Sequence, residues 1–400
     1  MGAESRIRVG IFFNARQEQG GLYQYALTIV DCLARYAPKH EYVLYRATLE
    51  NLPLDIQLSN WKIVDLPKRA LKLRMGLELA LFYLSKVSIH IPFGLIPTYS
   101  TIDDDHVDLM IYVKPTPHVY QWRYPAIFPI HDLQHRLQRQ FPEVSEKGEF
   151  NRREILYTNS IKHTQAILTD SETGKADVMN LYGANGEMIY TLPYIAPTFR
   201  DAGGNPFSII KQMYQLPDEY FFYPAAFWPH KNHARLIEAI KVLEEQYQVQ
   251  VCLVLSGSKK REYDNLVLLA DKLGIKERVR FIGFVDEDDL LAIYKHALAL
   301  VMPTFFGPTN IPILEAWQAD CPVITSNLRG IREQVGDAGL LVDPLNAQEI
   351  ADAMWRLSTH PELRQQLIDK GKNQIQAWTP ALFGRRLAEI IRLTYQKINQ

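Results

Sequence analysis

The stretch Met302-Pro303-Thr304-Phe305-Phe306-Gly307-Pro308-Thr309-Asn310-Ile311-Pro312-Ile313-Leu314-Glu315-Ala316 changes character twice. The apolar run Ala297 to Met302 reads as a buried strand and stops at Pro303. A turn-rich loop follows, and a helix is expected to begin around Asn310. Asn is a good helix cap, and Pro312 sits in the first turn, where a missing N–H costs nothing. Strand, loop and helix start together place unpaired backbone N–H groups at the carboxyl edge of a sheet, which suits a phosphate or a sugar hydroxyl. Glu315 falls within the next turn. It is either a surface helix residue or a carboxylate able to accept two hydrogen bonds from a diol such as a ribose.

The same order of elements recurs upstream in Tyr223-Pro224-Ala225-Ala226-Phe227-Trp228-Pro229-His230-Lys231-Asn232. An apolar strand, Tyr220 to Tyr223, precedes it and a helix pattern, His233 to Leu243, follows. Lys231 at that entrance is either a solvated lysine or a mobile point charge that meets a diphosphate beside the helix dipole.

Outward from these two segments, strand-like and helix-like patterns alternate along the whole chain, as in parallel sheets covered by helices. The first series opens with Ile7 to Phe13, a loop ending in Gly20-Gly21, and an amphipathic helix from about Leu22 to Arg35. Its further strands are expected near 41–46, 61–65, 107–113, 126–131 and 166–170, with a long polar helix at about 144–164. Leu192 to Asp218 contains Pro193, Pro197, Gly203, Gly204, Pro206 and Pro217 and reads as the crossing between domains. The second series has strand candidates at 220–224, 250–255, 279–284, 298–302, 322–325 and 339–342. The predicted architecture is therefore α/β, with two Rossmann-like, doubly wound domains at 1–200 and 201–379. They are expected to face a central cleft at the carboxyl ends of their strands. A last helix, about 380–397, follows a complete second sheet and is expected to pack back on the first domain.

The totals narrow the function. Four hundred residues exceed one ordinary core, which favours two domains. A net charge of −1 argues against a whole-protein nucleic-acid binder. Cys32, Cys252 and Cys321 lie far apart with no CxxC or Cys/His spacing, so neither a disulfide framework nor a zinc site is expected. That cysteine pattern fits a reducing, cytoplasmic setting. The N-terminus lacks a signal-type apolar run, and no run of 18 apolar residues occurs, so no membrane span is expected. Asp103-Asp104-Asp105 lacks a strand-end context and reads as a solvated loop rather than a metal motif. Gly174-Lys175 has no glycine-rich approach, and no GxGxxG follows Phe13, so neither an NTPase nor a dinucleotide oxidoreductase is implied. Residues 67–86 form a basic, leucine-rich helical pattern that fits either a half-buried helix with a solvated edge or peripheral contact with anionic lipid.

Taken together, the two loop segments resemble the GT4 ("group 1") family of retaining glycosyltransferases with the GT-B fold. Further matches follow in order: Gly283-Phe284-Val285-Asp286 with Leu290, Tyr294 and Ala297; Cys321 to Asn327; Gly339 to Pro344; and Gly20 to Tyr25. The resemblance implies transfer of a hexose-type sugar from a nucleotide-diphosphate sugar to a glycan, lipid-linked or other acceptor, with retention, in polysaccharide or envelope glycan synthesis. It implies that Lys231 contacts the pyrophosphate and Glu315 the ribose. Gly20 and Gly21 would let backbone approach the diphosphate, and Pro308, Thr309, Asn310 and Ile311 would line the sugar or phosphate. His131 would approach the transferred sugar, with Asp132 orienting it. Catalysis is thus expected of His131 and Lys231, with no metal and no cofactor beyond the nucleotide sugar.

Two positions depart from the family pattern. Gly307 stands where the first of two glutamates eight residues apart is usual, and Ala226 stands where an Arg is usual five residues before the lysine. A subgroup with the Phe306 to Pro312 run also lacks the first Glu, which favours an active enzyme. A non-catalytic nucleotide-sugar-binding or assembly subunit, or a GT-B sugar-nucleotide epimerase, is the alternative.

Overall fold

The computed structural model describes residues 6–47, 56–66, 100–196 and 205–400. By contacts the chain forms two units. One comprises Met1–Arg136, Glu146–Tyr194 and Thr379–Gln400; the other comprises Leu137–Ser145 and Ile195–Trp378. Leu137–Ser145, counted with the first domain on sequence, goes with the second unit.

The first unit holds a seven-stranded sheet of β1 (Arg8–Phe13), β2 (Glu41–Arg46), β3 (Trp61–Asp65), β4 (Leu109–Tyr112), β5 (Ala126–Pro129), β6 (Ala166–Thr169) and β7 (Ile189–Thr191), ordered β3-β2-β1-β4-β5-β6-β7. All its pairings are parallel. Strands β4, β5 and β6 are buried at every residue, which is why they read as continuous apolar runs rather than alternating ones. β7 has only three residues, too short for a sequence period, and had no counterpart among the expected strands.

The second unit repeats the design with six parallel strands: β8 (Tyr220–Pro224), β9 (Cys252–Ser256), β10 (Val279–Gly283), β11 (Ala299–Met302), β12 (Val323–Ser326) and β13 (Leu340–Val342). The order is β10-β9-β8-β11-β12-β13. In each sheet the chain reverses its direction of travel beside the first strand, between β1 and β4 and between β8 and β11. Crevices at such switch points are where doubly wound sheets bind ligands.

The C-terminal helix Pro380–Ile398 packs on the helix Gly21–Tyr36. It buries Phe383, Leu387, Ile390 and Ile391. Gly384 permits the approach: a Cβ there would lie 2.6 Å from the Cys32 carbonyl oxygen.

The acidic triplet is not the solvated loop expected. Ser100–Asp103 is helical, and Asp105 is buried, accepting from Lys62 Nζ at 2.5 Å and the Tyr45 hydroxyl at 3.0 Å. Asp103 accepts from the Tyr124 hydroxyl at 2.7 Å. Asp105 thereby ties β2 and the edge strand β3 to the segment leading into β4, and Asp103 ties the helix Ser100–Asp103 to the segment leading into β5. The 67–86 pattern lies outside the described residues, as do Pro197, Gly203 and Gly204 of the crossing. No described helix is long and apolar enough to cross a membrane.

Candidate functional site

β8 and β11 are adjacent, and the loops leaving their carboxyl ends are sewn together. Asn232 adopts φ 60°, a left-handed conformation Asn tolerates better than most residues. From there its amide donates to the Pro303 carbonyl at 2.8 Å and the Pro344 carbonyl at 2.7 Å, so one side chain joins the loops after β8, β11 and β13. The Phe305 N–H and the Thr304 hydroxyl donate to the His230 carbonyl at 2.8 and 3.2 Å, and Ser326 Oγ donates to the Thr304 carbonyl at 2.6 Å. The two segments singled out on sequence therefore form one construction at a switch point.

Lys231 ends the 3-10 turn Pro229–Lys231, one residue before the helix His233–Tyr247. It is partly buried, and its carbonyl accepts from the Tyr223 hydroxyl at 3.2 Å. Burial lowers its ammonium to about 8, and the Glu143 carboxylate opposes that shift. Glu143 comes from the short helix Pro142–Ser145. Its Oε1 accepts from the His230 N–H at 3.0 Å and from His230 Nδ1, while Oε2 is buried without a partner. Burial works to raise the Glu143 carboxyl, but the hydrogen bonds from His230 outweigh it and hold it below the usual carboxylate range. The His230 ring lies flat on Phe306, centroids 4.0 Å apart at 10°, and Phe141 packs against Phe305 and Phe306.

Glu315 lies on the helix Ile311–Gln318, and its Oε2 accepts from the Tyr294 hydroxyl at 2.9 Å. Tyr294 is fully buried; desolvation and then the Glu315 charge drive its phenol well above the ordinary value, so it stays a neutral donor. The Asn310 side chain does not cap this helix. It donates to the Phe306 carbonyl at 3.1 Å, while its N–H donates to Gln334 Oε1 at 2.8 Å and Gln334 returns a bond to the Asn310 carbonyl at 2.9 Å. The Asn310 N–H is thus taken by the protein itself, contrary to the expected backbone contact with ligand. Pro308 follows a cis peptide bond and packs against Gly330, where a Cβ would meet the Pro308 carbonyl oxygen at 2.4 Å. At Gly307 a Cβ would meet nothing closer than 3.8 Å, so the missing glutamate reflects no shortage of room for a Cβ. Beside these loops a cavity of about 670 Å³ opens between Gln138, Phe141, Phe305, Asn327 and Asp343.

In the first unit, His131 follows β5. Its Nδ1 bonds the Tyr194 hydroxyl at 2.8 Å, its ring stands edge-on to Tyr25 at 4.9 Å, and its Nε2 is buried without a partner. Burial lowers the imidazole to about 4 against the opposing charge of Asp132, so it is neutral at physiological pH. The orienting contact comes from Tyr194 and not, as expected, from Asp132. Asp132 Oδ1 accepts from the Gln134 N–H at 2.9 Å and from Arg153 at 2.8 Å. Gly20, at φ 56°, carries the glycine-only backbone before the helix Gly21–Tyr36, while Gly21 is its first helical residue. Nearby, Lys114 donates to Gln19 Oε1 at 3.1 Å, and burial and the charges of Arg16 and Arg152 lower it to about 8.

Sequence reasoning missed Glu143, Tyr194, Gly330 and the connecting role of Asn232. Glu143 lies 87 residues before His230, and no spacing rule links them. Asn232 offered a signal, since an Asn between a turn and a helix invites a left-handed backbone.

Comparison with known proteins agrees with this construction. Residues 209–374 match the family of glycosyl transferases group 1. The O-antigen chain mannosyltransferase B of Escherichia coli is 29% identical over 246 residues, 56% of this chain and 64% of that protein. The chain thus spans less than two thirds of the length of this relative. Among solved structures, the sucrose-phosphate synthase of Thermosynechococcus elongatus aligns with a TM-score of 0.71 at 15% identity, covering 98% of this chain and 100% of that one. Anabaena Alr3699/HepE in complex with UDP and glucose aligns with a TM-score of 0.68 at 16% identity, covering 96% and 99%. The fold is that of these GT-B neighbours, two Rossmann-like parallel-sheet domains, and the match to the glycosyl transferases group 1 model falls on residues 209–374.

Proposed function

We propose that this protein is a glycosyltransferase that moves a hexose from a nucleotide-diphosphate sugar to a glycan, lipid-linked or other acceptor, with retention of configuration, in polysaccharide or envelope glycan synthesis. The observation that carries the reading is the junction made by Asn232, which holds the Lys231 turn against the Pro303–Asn310 loop at the β8/β11 switch point. An ammonium and a carboxylate, Lys231 and Glu315, then stand at the entrances of helices that follow adjacent strands. In this reading Lys231 meets the diphosphate, and Glu315, aimed by Tyr294, takes the ribose hydroxyls. Pro308, Thr309 and Ile311 line the sugar or phosphate.

In the reaction the bond from the anomeric carbon to the diphosphate oxygen breaks, and its electron pair leaves with the diphosphate. The acceptor hydroxyl forms the new glycosidic bond, and its proton passes to the leaving phosphate or to water. Lys231 and helix-start amides stabilise the leaving charge as fixed electrostatics rather than by acid catalysis. The neutral His131, held by Tyr194, supplies a hydrogen-bonding group for the transferred sugar, and Gly20 and Gly21 a side-chain-free backbone for the diphosphate. The reading needs no metal, so transfer should survive dialysis against EDTA.

A thermal-shift screen of UDP-, GDP-, dTDP- and ADP-sugars tests the donor site, because a ligand that binds the native state raises the melting temperature. Mannose is the first donor sugar to try in that screen, since the O-antigen relative is named a mannosyltransferase. Transfer by the wild type and its strong loss in Lys231→Ala are expected. Stabilisation by a donor with neither transfer nor hydrolysis would favour the binding-subunit alternative, which Gly307 and Ala226 make specific.

A further inference from the structure

The second unit carries a charged group that no part of the proposed chemistry uses. The Glu143 side chain is 9% exposed, a burial that carboxylates rarely undergo without full pairing. Oε1 takes two donors from one residue, the N–H and Nδ1 of His230, whereas Oε2 has none. A buried carboxylate oxygen without a donor costs stability, and its retention calls for a role at the site. The segment bearing it is anchored independently, with Phe141 at 5.2 Å from Phe305 and 5.3 Å from Phe306. The carboxylate is therefore held against the Lys231 turn by packing as well as by hydrogen bonds.

We propose that Glu143 is the positioning carboxylate of the nucleoside-diphosphate site: one oxygen fixes the His230 ring, and the charge of the group keeps the neighbouring Lys231 cationic until the diphosphate arrives. This rests on the donor-site reading above. Glu143 orients His230 as well. Because a carboxylate only accepts, Nδ1 must carry the proton.

Charged and titratable groups face Lys231 from several elements. Tyr223 of β8 donates its hydroxyl to the lysine carbonyl at 3.2 Å, and burial drives that phenol well above its ordinary value, so it stays neutral. Glu143 comes from the segment Leu137–Ser145, His230 from the lysine's own turn, and His233 from the following helix. The Pro303–Asn310 loop contributes none, and Asp343, before Pro344, has Oδ1 engaged by the Leu345 N–H at 2.9 Å. His233 is held neutral, its imidazole lowered to about 3 by burial and then by the charges of Lys231 and His230. Burial takes the Lys231 ammonium to about 8, and Glu143 supplies the opposing charge.

The test is the affinity of the full chain for UDP and GDP, measured by calorimetry from pH 6 to pH 10 in the wild type, Glu143→Gln, Lys231→Met and the double variant. Wild-type affinity should hold to about pH 8 and then fall. In Glu143→Gln the fall should begin about one pH unit lower, with binding near pH 8.5 weaker by roughly 10-fold, the change one pKa unit allows. At pH 6, where Lys231 is charged in both proteins, the variant should bind as well as the wild type or better, because a negative charge has gone. In the Lys231→Met background the Glu143 substitution should leave the pH profile unmoved. A purely structural role would weaken binding equally at every pH; parallel profiles for wild type and Glu143→Gln would therefore overturn the inference while leaving the donor site intact. Should the wild type bind no nucleoside diphosphate at any pH, the donor-site reading falls, and this inference with it.

Discussion

The Tyr294 hydroxyl reaches Glu315 Oε2 across 2.9 Å, joining the helix Glu287–His296, which precedes β11, to the helix Ile311–Gln318, which follows it. A carboxylate proposed to hold a ribose is thereby fixed in one rotamer before ligand arrives, and the ordering cost is met in folding rather than in binding. Tyr294→Phe keeps the buried ring and its packing against Phe222 while removing this bond and the longer 3.5 Å contact of the same hydroxyl with the Pro312 carbonyl. Nucleotide affinity should fall about 3- to 10-fold, the equivalent of one ordinary hydrogen bond, with little change in the far-UV spectrum. Unchanged calorimetric affinity would show that Glu315 needs no such aiming, or does not touch the nucleotide.

Gly330 and Gly307 make opposite predictions within one loop. A Cβ at Gly330 would sit 2.4 Å from backbone of Pro308, whereas at Gly307 the nearest atom is 3.8 Å away. Gly330→Ala should cost about 1–3 kcal/mol, as overpacking does, and distort the donor loop. Gly307→Ala should stay within about 0.5 kcal/mol of wild type. Urea midpoints compare the two, and equal values would refute the close approach.

Asn232 can be separated into its backbone and its side chain. Asn232→Ala loses two buried hydrogen bonds and must also hold Ala at φ 60°. A loss of about 2 kcal/mol or more is expected. Asn232→Gly removes the strain but not the lost bonds, so it should recover only part of that stability. Both should raise the donor KM, because the loops bearing Lys231 and Thr309 lose one of their ties and keep the bonds from Phe305 and Thr304 to the His230 carbonyl. Full recovery of stability and KM in the glycine variant would mean that the amide bonds matter little.

Much of this arrangement is legible in the chain because parallel strands and their helices announce themselves locally. Tyr220 to Tyr223 and Ala297 to Met302 are short apolar runs ended by proline or turn residues, and each is followed by a helix pattern. That local grammar was enough to single out Lys231 and Glu315. Contacts between distant segments were not legible. Nothing near Glu143 in sequence marks it as a partner of His230, and nothing near Tyr194 marks it as the group that holds His131. Asp132 was assigned that role because it is adjacent in sequence, yet its carboxylate faces Arg153 instead. Asp105 read as solvated because no strand end was legible beside it, but Lys62 of β3 and Tyr45 of β2 pair its buried carboxylate. Asn310 was chosen as a cap by residue type, and Phe306 and Gln334 claim its groups first.

Acid stability supplies a test of the buried histidines. Burial lowers His131 to about 4 and His233 to about 3, and moves His135 in the same direction. In each case the unfolded chain binds the proton more tightly than the native one. The stability this represents is fully present above about pH 6.5, the ordinary histidine value, and is lost as pH falls toward the native values. Carboxylates held low, Glu143, Glu149 and Glu154, contribute stability that begins to be lost only below about pH 4.5, so the interval from about 6.5 to 4.5 belongs to the histidines. His233 is the cleanest probe. Its ring stacks on Tyr223 at 4.8 Å and contacts Phe227 at 4.9 Å, while both nitrogens are buried without partners. His233→Phe keeps an aromatic ring in an aromatic setting and removes both orphaned nitrogens. At pH 5 it should gain about 2 kcal/mol from the proton it no longer excludes. At pH 8 only the smaller gain from the lost polar atoms should remain, about 1 kcal/mol. Urea unfolding at the two pH values measures the difference, and a His233→Phe advantage that does not grow on acidification would show that this imidazole is protonated in the native protein.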